Sequence, residues 1–282
     1  MISVILPTYN RAALLPRAIR GVLDQTCRDL ELIVVDDAST DDTAGVMAQI
    51  HDLRVRYVRQ EKNQGACAAR NRGVAMAKGE YIAFQDSDDA WEPDKLEKQL
   101  RCLEETGADI VFCGFHRYSG ETETIFPPET LPEGDVAYDQ LLLENLISTQ
   151  TILGHRYCFV EHPFDETFPR MQDWELVLRL VQHYRIHYMA QQLAHVYLQE
   201  DSISRKPKAG LAALEKLLKM HRPALKKNDM AARRFAVAMA VMTSQCGQNP
   251  AGAYLRLLSA GLKTKTNLYL LAHSARALFT GR

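Results

Sequence analysis

Residues 63–89 read NQGACAARNRGVAMAKGEYIAFQDSDD. The Ala-rich stretch up to Lys78 reads as a helix, and Tyr81–Phe84 is a short apolar run that reads as a buried strand delivering Gln85, Asp86, Ser87, Asp88 and Asp89 at its end. The same alternation recurs on both sides. Upstream, Ile2–Leu6 is a strand-like run stopped by Pro7, and Leu14, Leu15, Ala18, Ile19, Val22 and Leu23 then recur at helical spacing. Leu30–Val35 precedes a helical face of Thr43, Val46, Met47 and Ile50, and Val55–Val58 precedes the quoted helix. Downstream, Leu96, Leu100 and Leu103 form one more helical face, Gly107 ends it, and Asp109–Phe115 is a further strand. Strands alternating with helices predict an α/β fold, a mostly parallel sheet flanked by helices.

Composition agrees with a globular chain. Of 282 residues, 46% are hydrophobic and 24% charged, which excludes wholesale disorder, collagen-like sequence and coiled coil. Six scattered cysteines without a CxxC pair argue against a zinc finger or a disulfide framework and fit a reduced, cytoplasmic chain. The opening MISVILPTYN has too short an apolar run and no basic leader for a signal peptide. From Gly120 to Asp139 the chain is rich in Glu, Thr and Pro and reads as a loop, and Trp174, Val177, Leu178 and Val181 mark a helix starting close to Asp173. A boundary is expected near Lys206 and Pro207, separating a domain of residues 1–205 from a helical region of residues 206–282. Charge changes there as well. Residues 205–282 hold 15 Lys and Arg against Glu215 and Asp229, while the rest of the chain carries a net charge of -14.

In a parallel sheet, ligands bind outside the carboxyl ends of the strands, so the polar residues there are the ones to weigh. The first strand leads to Pro7, Thr8, Tyr9 and Asn10, and the second to Asp36, Asp37, Ala38 and Ser39. Asp36–Thr40 reads equally well as a helix cap, but capping uses one side chain, and the surplus acid is free for a ligand hydroxyl or base edge. Three carboxylates within Asp86–Asp89 repel one another unless a cation sits among them, and such hard oxygen donors suit Mg²⁺ or Mn²⁺. No GxGxxG follows the first strand and no GxxxxGK[ST] occurs, so the usual dinucleotide and P-loop fingerprints are missing.

SVILPTYNR, ELIVVDDASTDDT, the quoted stretch and MQDWELVLRL together resemble the family 2 inverting glycosyltransferases of the GT-A fold, in the family's order, over residues 2–205. The resemblance implies that Pro7, Tyr9 and Asp37 hold the nucleoside of a nucleotide-diphosphate sugar donor, with Asp37 reaching the base. It implies that Gly65, Arg70 and Asn71 close over the nucleotide, and that Asp86 and Asp88 form a DxD pair with Asp88 as the direct ligand of a divalent metal. Asp173 matches the general base, although a carboxylate just before Trp174 reads on its own as a helix N-cap. In VYLQEDSIS, Tyr197 and Gln199 stand where the family often shows an Arg and a His. His195 nearby reads as a structural histidine.

The expected reaction is sugar transfer to a hydroxyl on a glycan or lipid-linked acceptor, in a bacterial surface polysaccharide or lipopolysaccharide setting that the family implies. In the tail, Leu211, Leu214, Leu217 and Leu218 form a helical face. Residues 262–282 interleave apolar and basic side chains, which suits a helix on an anionic membrane, here the inner face of the cell membrane. No nucleic-acid partner is expected, because the basic tail carries no recognisable module and the acidic body repels phosphate. A nucleotidyltransferase on a related fold, or a binding module without activity, are the other readings.

Overall fold

The computed structural model describes residues 1–128, 131–199 and 206–250. They belong to two units. One comprises Met1–Val136, Leu146–Glu166 and Gln172–Gln199; the other comprises Ala137–Asn145, Thr167–Met171 and the chain from Glu200 onward.

In the first unit, β1 (Ile2–Thr8) is buried along its whole length, as a strand covered on both faces must be. α1 (Leu15–Leu23) follows with Pro16 in its first turn and Leu15, Ala18, Ile19 and Val22 facing the core. Then come β2 (Leu30–Asp36), α2 (Thr43–Ala48), β3 (Val55–Arg59), α3 (Ala66–Met76) and β4 (Tyr81–Phe84). α3 lies tight on the sheet at Gly73, where a Cβ would come 2.3 Å from Cγ2 of Ile5. β5 (Ala90–Trp91) and α4 (Lys95–Thr106) follow, and α4 ends at Gly107 with φ 65°, where the left-handed turn favours glycine. The remainder is β6 (Ile110–Ser119), β7 (Thr122–Phe126), β8 (Gly134–Asp135), β9 (Ile152–His155), α6 (Arg156–Glu161), α7 (Gln172–Leu180) and β10 (Ile186–Tyr197).

The strands form one sheet in the order β3-β2-β1-β4-β9-β6-β10-β5, with β7 beside β6 and β8 beside β10. β3, β2, β1 and β4 are parallel, as is β6 with β10. β9 runs antiparallel between β4 and β6, and β5, β7 and β8 are also antiparallel to their neighbours. The sheet is therefore mixed, and its parallel character is confined to the β3-β2-β1-β4 half and the β6–β10 pair. The stretch expected as a loop from Gly120 contains β7 and β8. Their residues are almost all solvent-facing, so no apolar alternation marks them in the sequence.

In the second unit, α5 (Tyr138–Leu143), α8 (Pro207–Met220), α9 (Arg222–Lys227) and α10 (Asp229–Gln245) are helical throughout. Leu211, Leu214, Leu217 and Leu218 are buried on α8, which packs on α10 with its buried Phe235, Ala236 and Met239. Residues 262–282, the expected membrane segment, lie outside the described residues.

Candidate active site

β2, β1 and β4 are parallel neighbours, so their carboxyl ends open side by side, and the segments that follow them are tied to one another. The Asp37 N–H donates to the Thr8 carbonyl (2.9 Å) and the Gln85 N–H to the Ile5 carbonyl (2.9 Å). Oδ1 of Asn10 accepts from the Thr40 N–H at 2.7 Å, and the Asn10 N–H donates to Oγ of Ser39 at 2.9 Å. These bonds leave Pro7 buried at the end of β1 and Tyr9 44% exposed beside it. Among the described residues, three non-glycine positions have positive φ: Asn10 (52°), Ala38 (61°) and Met171 (58°). They adjoin Tyr9, Asp37 and Gln172, and backbone held in this region concentrates at functional sites.

The acids after β2 are consumed by the fold. Oδ1 of Asp36 accepts from the Ser39 N–H (2.8 Å), and its Oδ2 accepts from the Tyr57 hydroxyl (2.6 Å) with Arg59 at 3.8 Å. Asp37, 4% exposed, accepts from Nε2 of Gln60 and from the backbone N–H groups of Gln64 and Gly65, all at 2.7 Å. Its carboxylate thereby holds the segment that enters α3, where Gly65 has φ 91°. Asp41 accepts from both the N–H and the hydroxyl of Thr43, the first residue of α2, while Asp42 at the N-cap makes no side-chain cap bond.

The acids after β4 divide. Asp89 is buried, with Oδ1 accepting from the Tyr197 N–H (2.9 Å) and Oδ2 from Nε2 of Gln150 (2.7 Å). Burial, and then the charges of Asp86 and Asp88, push its pKa well above the ordinary carboxylate range. Asp86 and Asp88 keep side-chain exposures of 27% and 21% and are met by arginines. NH2 of Arg70 donates to Oδ1 of Asp86 at 2.7 Å, Nε of Arg11 stands 4.0 Å from Oδ2 of Asp88, and Arg17 donates to the Asp88 carbonyl. The cations demanded by the clustered carboxylates are thus partly the protein's own.

Arg70 carries the site across the chain. Buried on α3, it holds Asp86 with one terminal nitrogen and donates with the other to Oε1 of Gln172 (3.2 Å), the first residue of α7 and the neighbour of Asp173. Burial alone would lower its pKa, but the charge of Asp86, joined by that of Asp173, raises it. Asp173 sits in the first turn of α7, where its Oδ1 accepts from the Trp174 N–H at 2.8 Å. Asn71, next to Arg70, turns the other way: Nδ2 donates to the Phe164 carbonyl and to Glu166, both at 3.0 Å, and Oδ1 accepts from the Phe164 N–H at 2.9 Å. The sequence reading did not single out Gln172, Phe164 or the Glu175–Arg179 pair of α7, whose atoms approach to 2.5 Å. Only the i, i+4 spacing of that pair was visible in the sequence.

A model described as Glycosyl transferase family 2 matches residues 3–167. The chain belongs to glycosyl transferase family 2. It is similar to WcaA of Escherichia coli (strain K12), named for colanic acid biosynthesis, at 32% identity over 216 residues, covering 74% of this chain and 77% of WcaA. It is also similar to TuaG of Bacillus subtilis (strain 168), named for teichuronic acid biosynthesis, at 37% identity over 162 residues, covering 55% of this chain and 62% of TuaG. The matched part is thus less than two thirds of TuaG's length. Two solved structures share the fold: S. aureus TarS 1–349 in complex with UDP-GlcNAc (TM-score 0.69, 19% identity, 98% of this chain and 81% of that one), and the mannosyltransferase PcManGT from Pyrobaculum calidifontis in complex with GDP-Man and Mn²⁺ (TM-score 0.66, 21% identity, 98% and 80%).

For a family 2 glycosyl transferase, the fit of a divalent ion rests on the donor chemistry. Among the described residues no group of three or more His, Cys, Asp or Glu side chains could hold a metal on its own. A nucleotide-borne Mg²⁺ or Mn²⁺ takes one or two carboxylates and fills its shell from phosphate, and Asp86 and Asp88 match that donor set. Buried polar atoms that lack a hydrogen-bond partner among the described residues include Oγ1 of Thr8 and Oε1 of Gln85 at the strand ends, and Nε of Arg17 on α1 and of Arg70 on α3. Such orphans are rare in folded proteins, and at Thr8, Gln85, Arg17 and Arg70 they fit groups whose bonding a bound ligand would complete. Tyr197 lies under the Arg17 guanidinium, 4.4 Å from its ring centre, and stacks on Tyr118. His195 has Nδ1 against the Tyr118 hydroxyl (3.2 Å) and Nε2 against Glu92 (2.8 Å), so both ring nitrogens are engaged within the protein.

Proposed function

We propose that this family 2 member is an inverting glycosyltransferase that moves a sugar from a nucleotide-diphosphate sugar to a hydroxyl of a glycan or lipid-linked acceptor, in the synthesis of a bacterial surface polysaccharide. The observation that carries the reading is the Arg70 bridge, which ties the carboxylate after β4 to the first turn of α7. A donor held over the strand ends and a base carried by α7 need such a link, because transfer depends on fixed alignment of the two partners. The names of TuaG and WcaA, both from polysaccharide synthesis, support the setting.

In this reading Pro7 and Tyr9 line the nucleoside, and Asp37 shapes its pocket by holding Gln64 and Gly65 in place. Asp86 and Asp88 hold the divalent ion, which when bound offsets charge on the departing diphosphate. Arg17 and Arg70, each with an unpartnered Nε, supply hydrogen-bond donors on the same side. Asp173 accepts the acceptor's proton on the opposite face of the sugar, which inverts the anomeric centre. A cytoplasmic enzyme attached through residues 262–282 to the inner face of the membrane fits a lipid-linked acceptor; among the described residues no helix is long and apolar enough to cross a membrane.

The test is a panel of nucleotide sugars screened with and without Mn²⁺, by thermal shift and then by turnover on lipid-linked and free glycan acceptors. One donor is expected to stabilise the protein in a Mn²⁺-dependent way and to be consumed with inversion. Binding without transfer to any acceptor would leave a nucleotide-sugar-binding module, and retention of configuration would remove Asp173 as base.

A further inference from the structure

Asn71 was expected to close over the nucleotide, but its amide is spent elsewhere. All three of its hydrogen bonds go to Phe164 and Glu166, in the segment that leads toward α7. That segment is held from its other side too, because NH2 of Arg179 on α7 donates to the Pro163 carbonyl at 2.7 Å while its Nε engages the buried Glu175. Fixing Phe164 has a consequence at the site. The Phe164 ring is buried, stands edge-on to Phe84 with centroids 5.3 Å apart, and faces the Arg70 guanidinium at 5.3 Å. Phe84 is the last residue of β4, separated from the Asp86–Asp89 segment only by Gln85. Phe164 is therefore a wedge between that strand end and the arginine that bonds both Asp86 and Gln172.

We infer that Asn71 is a positioning residue for Asp173: through Phe164 it sets where Arg70 sits, and through Arg70 it sets the placement of the first turn of α7 relative to Asp86. It is not a donor contact. The inference rests on the proposed transferase reading for its kinetic consequence, while its structural consequence is independent of that reading. Three features make the assignment physical. The amide of Asn71 uses donor and acceptor together, so it fixes Phe164 in both directions along the backbone. The guanidinium of Arg70 is planar and buried, so a shift of the ring beneath it moves both of its bonds at once. The bridged residues are far apart in sequence, with Arg70 and Gln172 on separate helices, so α3 is what carries the registration between them.

The experiment uses the full chain as Asn71→Ala, with the two tryptophans, Trp91 and Trp174, replaced by 5-fluorotryptophan for ¹⁹F NMR. Trp174 adjoins Asp173, whereas Trp91 lies on β5. Affinity is measured for UDP and for GDP with Mn²⁺, by calorimetry. The expected result is nucleoside diphosphate affinity within about twofold of wild type, a kcat lower by about 10²-fold at saturating donor, and a Trp174 resonance that moves or broadens while that of Trp91 stays. A loss of affinity with kcat preserved would overturn the inference and make Asn71 a donor contact. A lower melting temperature with kcat and the Trp174 resonance both unchanged would overturn it as well, leaving a stabilising bond only. Should Asn71→Ala not fold, Asn71→Asp, which keeps the acceptor for the Phe164 N–H and loses both donated bonds, is read in the same way. If the wild type transfers sugar from no donor, the transferase reading fails, and the inference about Asn71 is still decided by the Trp174 resonance.

Discussion

The acids after β2 and the acids after β4 look alike in the sequence and have different fates. Asp36 and Asp37 are buried and their oxygens are taken by Ser39, Tyr57, Gln60, Gln64 and Gly65. After β4 only Asp89 is treated that way, while Asp86 and Asp88 stay partly exposed and face arginines. A carboxylate that accepts several backbone N–H groups organises the chain, and one that is partly exposed and met by arginine side chains keeps a face toward solvent. An acid cluster at a strand end is thus not a site by composition; what decides is how many of its lone pairs the fold has already used.

The contrast breaks most sharply if the cluster after β4 is not coupled to chemistry. Asp173→Asn keeps shape but cannot take a proton, so turnover should fall by about 10²–10⁴-fold with nucleotide affinity unchanged. Near-normal turnover would reduce Asp173 to a first-turn acceptor for the Trp174 N–H, a role Asn fills almost equally well.

Next in size is a pair of alanine variants that should fail in opposite ways. Asp37→Ala strands the buried donors of Gln60, Gln64 and Gly65, and the midpoint of urea denaturation should drop by an amount equivalent to about 2–3 kcal/mol. Asp88→Ala should unfold within about 0.5 kcal/mol of wild type yet lose the Mn²⁺-dependent part of its nucleoside diphosphate affinity. Equal loss of stability in both variants would erase the distinction between the clusters.

The smallest effect sharpens the region behind β4. Lys95 is fully buried, its Nζ donating to Gln99 at 2.6 Å and lying 4.0 Å from the centre of the Trp91 ring, and burial brings its pKa down to about 8. An unfolded lysine titrates near 10.4. Between those values the unfolded chain binds more protons at this group, so the Lys95 contribution to stability should rise as pH goes from about 8 to about 10, against an opposite slope from the thiols of Cys67, Cys113 and Cys158, which burial pushes up; below 8 the cost of burying the ammonium is felt in full. Lys95→Met should flatten that rise, as seen in melting temperatures at pH 7.5, 8.5 and 9.5. A slope unchanged by the substitution would assign it to another group.

Much of the fold was legible because the parallel half obeys one rule: apolar run, polar strand end, helix. β1, β2, β3 and β4 fall where short apolar runs end in Pro7, Asp36, Arg59 and Gln85, and Gly107 terminates α4 as its position suggested. β7 was missed because an exposed strand of Thr, Glu and Ile buries no face that could impose alternation. β9 was missed because four residues inserted antiparallel between two longer strands carry no period of their own. At the site, the residue types at the strand ends were readable, and their bonding was not. Asp37 was read as free to reach a base, yet the donors that occupy it come from residues 60–65. The Arg70–Gln172 bond joins positions 102 residues apart, a pairing no local pattern announces.

The spacing of the strand pairs also bears on the order in which the chain folds. β1, β2 and β3 pair with neighbours close in sequence, Ile2 opposite Leu30 and Leu32 opposite Val55, whereas β4 must return to β1, with Ile2 opposite Tyr81, and β6 must wait for β10, with Ile110 opposite Ile186. Closing the longer loops costs more chain entropy before it returns any contact. The β3-β2-β1 sub-sheet is therefore expected to acquire amide protection first in pulsed hydrogen exchange. β4 and β10 are expected to lock later. The acid segment after β4 would then pass through a stage in which the sheet beside it exists and its own strand is not yet paired.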